Sequence, residues 1–186
     1  RGVLKATAPQ IVSKHRKAIQ KRKPSKNVFI VYGSDYKPVK ALKALLGKFG
    51  LRPVVLHEQP SGSMTIIEKL ERYSDVSYAF VILAPDDVGS DMESLNTILS
   101  SPDRLDLEDV FEMKLTERRA RQNVVLEFGY FIGKLGRSRV CCLHKGRVKL
   151  PSDMHGIVYI PFKDSINEVR DKILVELKAA GYEIKI

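Results

Sequence analysis

Short, nearly continuous runs of Val, Ile, Leu and Phe alternate with helix-like segments along most of this chain of 186 residues. The apolar runs lie at 27–32, 52–57, 77–84, 139–144 and 156–162. Strands of a parallel sheet have this composition because helices cover both of its faces. The pattern therefore predicts an α/β fold with a five-stranded, doubly wound parallel sheet, whose binding residues lie at the carboxyl ends of the strands.

The segments between these runs carry helix signals. Pro38 opens a helix that has apolar residues at three- and four-residue spacing and is closed by Gly50. Residues 65–68 read Thr-Ile-Ile-Glu, a capping box, and start a helix that reaches about Tyr73. A further helix runs from about Ser165 to Ala180, where Gly181 stops it.

The formal charge of +10 is unevenly distributed. Residues 1–26 hold nine Lys and Arg and no acid, whereas residues 27–186 hold 23 bases and 22 acids. We therefore expect a basic N-terminal arm or linker helix at 1–26, with its helix at 9–23, followed by one domain at 27–186. A nearly neutral domain is a poor nucleic-acid binder, so only the arm leaves polyanion binding open.

Residues 86–118 interrupt the alternation. They hold ten acids and three bases and show no clear strand periodicity. The segment is predicted to be an acidic surface insertion. Docking of the basic arm on it, within one chain or between chains, is an alternative.

The only cysteines, Cys141 and Cys142, are adjacent in an apolar run, where neighbouring side chains of a strand point to opposite faces. They predict neither a disulfide framework nor a metal site, and buried free thiols favour a cytoplasmic protein. The sequence has no apolar span long enough for a membrane helix and no signal-peptide pattern, so no membrane association is expected. Because the chain begins at Arg1 rather than Met, we expect a domain upstream of it.

Polar residues follow the first three predicted strands at Gly33–Tyr36, Glu58–Ser63 and Asp86. The carboxyl ends of parallel strands meet at one edge, so these residues are expected to cluster. Gly33 and Gly62 allow close backbone approach, and the helix start at Thr65 offers N–H groups that suit a phosphate. Neither a P-loop nor a G-x-G-x-x-G motif follows the first strand.

Glu127 lies in the most apolar helix-like stretch, residues 123–135. A carboxylate in such surroundings needs a partner, a shifted pKa or a function. In a structural interpretation it pairs with a nearby cation, or faces the sheet edge and water; the candidate cations are Arg119, Arg121 and Lys134. In a functional interpretation Asn123 and Tyr130, one helical turn away, orient it without neutralising it. Such a carboxylate can stabilise an oxocarbenium-like state during cleavage of an N-glycosidic bond.

Four blocks of sequence in this order closely resemble the bacterial TIR-like family. They are VFIVYGSD at 28–35, LHEQP at 56–60 followed by TIIEKL at 65–70, LAPDDVG at 83–89, and ARQNVVLEFGYFIG at 120–133. The resemblance covers roughly residues 27–182. Members of this family are described as nucleotide-binding proteins and occur as effectors of cyclic-nucleotide-triggered antiphage defence, including fusions to STING-like sensors.

The resemblance implies a flavodoxin-like TIR fold and cleavage of NAD+ at the nicotinamide–ribose bond, giving nicotinamide and ADP-ribose or a cyclic variant. It implies that Glu127 is the catalytic acid residue, acting in its ionised form. It also implies that Gly33–Tyr36 lie by the nicotinamide and its ribose, that the loop Glu58–Ser63 is mobile over the site, and that copies self-associate to become active. The expected substrate-binding residues are Gly33, Ser34, Asp35, Tyr36, Glu58, Gln59, Asp86, Asn123 and Tyr130. NAD+ is expected as substrate, with no further cofactor and no metal.

Two alternatives belong to other classes of function. One is a non-enzymatic TIR scaffold that signals through contacts between domains. The other is chemistry like that of a nucleoside 2-deoxyribosyltransferase, which uses a similar sheet and a helix Glu as nucleophile on a ribosyl carbon.

Overall fold

A parallel sheet of five strands forms the centre of the protein, whose computed structural model describes residues 23–100, 106–151 and 156–184. The strands are β1 (Asn27–Val31), β2 (Arg52–Val55), β3 (Tyr78–Leu83), β4 (Asp87–Gly89), β5 (Glu117–Arg119), β6 (Val140–Lys145) and β7 (Val158–Phe162). The central sheet has the order β2-β1-β3-β6-β7, and all its neighbouring strands pair in parallel. The predicted five-stranded α/β fold is confirmed.

Helices cover both faces of this sheet. They are α1 (Tyr36–Lys48), α2 (Ile66–Tyr73), α3 (Met92–Leu99), α4 (Leu107–Glu112), α5 (Gln122–Leu135) and α6 (Arg170–Ala179), with short 3-10 turns at Leu56–Glu58, Arg137–Arg139 and Ile166–Val169. Helices α1 and α6 pack on one face, and α2 and α5 on the other. Each face therefore has its own apolar core.

The alternation of side chains along the strands divides residues between these two cores. Val28 and Ile30 of β1 lie in the core under α1 and α6, whereas Phe29 of the same strand lies in the core under α5. Cys141 and Cys142 are divided in the same way, and both are free and buried. This confirms the prediction that the adjacent thiols face opposite sides of the sheet.

Several helices and strands begin or end at residues other than those predicted, because local hydrogen bonds and turns fix their ends. Helix α1 begins at Tyr36 rather than Pro38, since the Asp35 carboxylate accepts from the Lys37 backbone N–H at 3.0 Å and caps the helix. Strand β2 ends at Val55 rather than His57, because the chain turns into the 3-10 segment Leu56–Glu58. The C-terminal helix is likewise divided into the 3-10 turn Ile166–Val169 and α6.

The capping box at the start of α2 is confirmed. The Thr65 backbone N–H donates to Glu68 Oε2 at 2.7 Å, and the Glu68 N–H donates to Thr65 Oγ1 at 3.3 Å. These bonds use two of the N–H groups at the helix start, those of Thr65 and Glu68, and they bring a carboxylate to that end of the helix. The suitability of this helix start for a phosphate stays a prediction.

The acidic insertion contains strands that its sequence does not predict. Strands β4 and β5 pair antiparallel and join the two ends of the segment, but each has only three residues, too few to show a period of two. Part of the acidity has a local reason: Asp91 caps α3, accepting from the Ser94 N–H at 2.8 Å, and Asp106 caps α4. Residues 101–105 lie outside the described parts.

The chain enters the domain at the amino edge of the sheet. Lys23 pairs with Glu183 at 3.1 Å, and the Ser25 backbone N–H donates to Ser77 Oγ at 2.8 Å. The predicted basic arm, its helix at 9–23 and its docking on the insertion fall almost entirely on residues 1–22, outside the described residues, and stay predictions. In the parts of the chain that are described, every helix is too short or too polar to cross a bilayer.

Candidate functional site

Helix α5 positions Glu127 at the border of its buried stripe. Val124, Phe128 and Phe131 form the stripe, and the Phe131 ring lies 4.5 Å from the ring of Phe29 on β1. Because α5 leads into the parallel strand β6, its N-terminal half lies towards the carboxyl edge of the sheet. Glu127, in that half and directly before Phe128, is held half-buried beside the apolar core.

The Glu127 carboxylate makes no hydrogen bond or ion pair with any residue that the structure describes. Burial raises its pKa from 4.5 to about 7, so both protonation states are populated at neutral pH. The ion-pair interpretation was wrong for two of its candidate cations, since Arg119 pairs with Glu117 at 3.2 Å and Lys134 donates to Ser74 Oγ at 2.5 Å. Arg121 is exposed and forms no ion pair with Glu127.

The expected orientation of Glu127 by Asn123 and Tyr130 was also wrong. The Tyr130 hydroxyl lies 2.8 Å from Ser74 Oγ, with which it shares a hydrogen bond, and also accepts from Lys134 Nζ at 3.4 Å. It thereby ties α5 to the end of α2, where Ser74 is fully buried. Asn123 is exposed on the first turn of α5, and its predicted part in substrate binding stays a prediction.

Tyr36 and Glu58 do come together at the carboxyl edge. The Tyr36 hydroxyl donates to Glu58, and Lys43 of α1 donates to Glu58 Oε2 at 2.6 Å. Lys43 and then Tyr36 lower the pKa of Glu58, so its carboxylate is ionised at neutral pH. The pair links the end of β1 to the end of β2.

Tyr32, which sequence reasoning did not single out, connects this pair with Glu127. It directly follows β1, and its ring lies 5.7 Å from that of Tyr36. Burial raises the pKa of Tyr32, and the nearby Tyr36 and Glu58 raise it further. The charge of Glu127 also raises the pKa of Tyr32. Glu127 and Glu58 therefore both lie close enough to Tyr32 to interact with it electrostatically. A tyrosine at the carboxyl end of an inner strand was the available signal.

Gly33, Ser34 and Asp86 form a second cluster at this edge. Ser34 donates to Asp86 Oδ1 through both its hydroxyl and its backbone N–H, the latter at 3.3 Å. The other oxygen, Asp86 Oδ2, is buried without a hydrogen-bond partner, and a Cβ on Gly33 would lie only 1.8 Å from it. The expected close approach at Gly33 is therefore confirmed, and Asp86 Oδ2 is left as an unpaired acceptor beneath this edge of the sheet.

Gly33→Ala is expected to lower the free energy of unfolding by about 1–2 kcal/mol, because the new methyl group displaces the Asp86 carboxylate from Ser34. Urea unfolding measures the loss. In an Asp86→Ala background the same substitution should cost clearly less, since the clash is gone. Equal costs in the two backgrounds would show that the contact does not decide the effect.

Asp35 and Gln59 have partners within the chain. Asp35, besides capping α1, pairs with Lys145 at the end of β6 at 2.5 Å. Burial alone would raise the pKa of Asp35, but the bonds from Lys145 and from the Lys37 backbone lower it overall. Gln59 donates its side-chain amide to the Val55 carbonyl at 3.2 Å. Lys145 was not predicted, although a base at the carboxyl end of an inner strand was the signal.

The loop Glu58–Ser63 is fastened to α2 by two side chains. Lys69 Nζ, on a residue only 5% exposed, donates to Ser61 Oγ at 3.4 Å, and the Tyr73 hydroxyl donates to the Pro60 carbonyl at 3.4 Å. The mobility expected for this loop stays a prediction, and these two contacts would have to break for it to open. Within the described residues, no group of three or more His, Cys, Asp and Glu could hold a metal ion.

A five-stranded parallel sheet in this order, with helices on both faces, defines the chain as a flavodoxin-like α/β domain, and Glu127 lies on the helix before its fourth strand. The profile of one such family, described as "CAP12/Pycsar effector protein, TIR domain", matches residues 27–164. The chain belongs to this family, and the recognition made from the four sequence blocks is confirmed.

The chain is also similar to individual proteins. It is 40% identical over 161 residues to the uncharacterized protein YuaY of Escherichia coli, a match that covers 86% of this chain and 47% of YuaY. It is 34% identical over 153 residues to protein tirC of Dictyostelium discoideum, covering 78% of this chain and 69% of tirC. A shorter match, 48% identical over 58 residues, covers 30% of this chain and 19% of the Pycsar effector protein BcPycTIR of Burkholderia cepacia. The chain thus spans about half the length of YuaY.

Proposed function

We propose that this chain is an NAD+ glycohydrolase that cleaves the nicotinamide–ribose bond with Glu127 as its catalytic residue. The observation that carries the proposal is the half-buried Glu127 carboxylate, which lacks a cation or hydrogen-bond partner among the described residues and has a pKa of about 7. A carboxylate whose pKa is raised by burial, with neither a cation nor a hydrogen-bond donor beside it, is typical of a functional site. Membership of the CAP12/Pycsar effector family supports the proposal.

The chemistry follows from the position of this carboxylate. As the C–N bond breaks, its electron pair goes to the pyridinium nitrogen, neutral nicotinamide leaves, and positive charge develops on the ribose. An ionised Glu127 stabilises that charge or bonds to the ribosyl carbon. Water then adds to the same carbon and a proton is released, so that NAD+ and water give nicotinamide, ADP-ribose and H+.

Binding of NAD+ would favour the ionised form of the Glu127 carboxylate. The nicotinamide ring of NAD+ is positively charged, and a positive charge beside a carboxylate lowers its pKa. Glu127, which loses its proton near pH 7 in the free chain, is therefore ionised in the substrate complex at neutral pH. The Tyr36–Glu58 pair and the Ser34–Asp86 cluster lie at the same edge, and we expect their oxygens to accept from ribose hydroxyls.

The experiment that tests the proposed function offers NAD+ and deoxynucleosides side by side and identifies the products by mass spectrometry over a range of protein concentrations. We expect nicotinamide and ADP-ribose, or its cyclic form, from NAD+. Base exchange on deoxynucleosides alone would instead support the deoxyribosyltransferase-like alternative. No turnover of either substrate at high concentration or under crowding, together with partner binding, would support the non-enzymatic scaffold.

The proposal extends to the cellular setting. We infer that the chain is the effector module of a bacterial antiphage system, acts in the cytoplasm and is activated by self-association under control of an upstream sensor domain. The family description and the relatives named Pycsar effector proteins support this role. In the concentration series, specific activity that rises steeply with protein concentration is the expected sign of self-association, and a constant specific activity would contradict it.

A further inference from the structure

A cleft opens beside the candidate site, at the carboxyl ends of β6 and β7. Its volume of about 570 Å³ falls within the range of small-molecule sites. One wall is formed by the ends of the two strands, and the other by α4 of the acidic insertion. Its charged lining consists of the bases Arg118, Lys145, Arg147 and Lys163 and the acids Glu108 and Glu112.

Two of the four bases already have partners. Lys145 pairs with Asp35, and the Arg118 guanidinium lies 4.5 Å from the centre of the Phe111 ring. Arg147 and Lys163 are exposed, and in the described parts of the chain their side chains form no ion pair or hydrogen bond. Unpaired cations that converge on a cleft suit phosphate oxygens, with which they form strong charge-assisted hydrogen bonds.

The cleft adjoins the candidate site. Pro85, which lines it, precedes Asp86, and Lys145 joins its wall to Asp35 in the turn after β1. Strands β1 and β6 are separated only by β3, so their ends lie about 10 Å apart. The edge is therefore polarised in its groups without an ion pair among the described residues: Asp86 and Glu127 lie near the ends of β1 and β3, and Arg147 and Lys163 near the ends of β6 and β7.

We propose that this cleft binds the adenosine diphosphate half of the dinucleotide, with Arg147 and Lys163 on the diphosphate. The inference rests on the proposed function, whose substrate has a cationic nicotinamide at one end and a diphosphate in its middle. The charges along this edge of the sheet match those of NAD+ in one orientation of the dinucleotide only. The nicotinamide lies towards Glu127, and the stacked Phe111–Arg118 pair provides a flat surface for the adenine.

Calorimetric titration of this chain with ADP-ribose tests the proposal without depending on turnover. Arg147→Ala/Lys163→Ala should weaken binding about tenfold or more, because two phosphate contacts are lost. Glu112→Gln should tighten binding severalfold by removing an opposing charge from the wall. Lys178→Ala is the matched control, because this exposed lysine lies in the last turn of α6, at the opposite edge of the sheet. The variant should bind ADP-ribose as the unsubstituted chain does.

Unchanged affinity of the double variant, or no measurable binding of ADP-ribose by the unsubstituted chain, would overturn the proposed cleft. The two proposals can fail separately. If Glu127→Gln stops nicotinamide release while Arg147→Ala/Lys163→Ala leaves KM unchanged, the cleft is refuted and the glycohydrolase stands. If ADP-ribose binding follows the pattern above while NAD+ is never cleaved, the cleft stands and the glycohydrolase is refuted.

Discussion

Glu127→Gln is expected to reduce the rate of nicotinamide release from NAD+ by about 10³-fold or more, while the fold stays intact. The amide has the shape of the protonated acid but can neither balance the charge that develops on the ribose nor bond to its carbon. Glu127→Asp keeps the negative charge, but its side chain is shorter by one methylene. Its rate should therefore lie between that of the unsubstituted chain and that of Glu127→Gln. Nicotinamide is measured by chromatography, and far-ultraviolet circular dichroism reports the fold.

Glu71→Gln is the matched control for this prediction. Glu71 is an exposed residue of α2, outside the candidate site, so the same change there should leave the rate unaffected. The pH dependence gives a second readout, since kcat/KM of the unsubstituted chain should rise through the Glu127 pKa of about 7 as the acid ionises. Undiminished release by Glu127→Gln would refute the catalytic role.

Glu127→Gln should also make the folded protein more stable, in a pH-dependent way. Burial raises the pKa of Glu127 from 4.5 to about 7, so the folded state binds this proton more tightly than the unfolded chain does. The contribution of Glu127 to stability therefore falls as the pH rises between these two values, and the uncharged Gln does not incur that loss. We expect a gain of less than about 1 kcal/mol at about pH 5 and of about 3 kcal/mol at about pH 8.

Urea unfolding at the two pH values measures this difference, with Glu71→Gln again as the control that should show little change at either. A gain at alkaline pH with none at acid pH would confirm that the ionised form of Glu127 is the source. Equal stability of Glu127→Gln and the unsubstituted chain at both values would mean that the carboxylate is well solvated in the folded state.

Taken together, the two expected results describe a residue whose charge opposes folding and serves catalysis. A glutamine at this half-buried position would give a more stable domain, so the stability cost of Glu127 is consistent with a function that requires its charge. The same reasoning does not apply to Glu58 or Asp35, because cations hold both of them ionised within the chain. Glu127 is thus the carboxylate for which a substrate cation would make the largest difference.

The sheet and most of its helices could be predicted from sequence because their signals are local. Nearly continuous apolar runs mark the five central strands, and the Thr65–Glu68 capping box marks the start of α2. The clustering of Gly33, Ser34 and Asp86 also followed from sequence, because carboxyl ends of neighbouring parallel strands meet at one edge.

What sequence reasoning missed depends on partners that are distant along the chain. Helical spacing allowed Tyr130 to meet Glu127, but it could not show that Ser74, 56 residues away, would bind the hydroxyl instead. The antiparallel pair of β4 and β5 was not predicted, because its strands are short and far apart along the insertion. Lys145 was missed because its partner, Asp35, is 110 residues away in sequence.

The division of Cys141 and Cys142 between the two cores makes the pair a reporter of how the domain loosens. Burial raises the pKa of both thiols, so a reagent in solution modifies each only after its own side of the sheet has opened. With Cys142→Ala, the rate of labelling follows detachment of the layer that contains α1 and α6. With Cys141→Ala, it follows the layer that carries Glu127. Comparing the two rates with and without NAD+ would show whether the ligand slows the opening of one layer alone or of the whole domain.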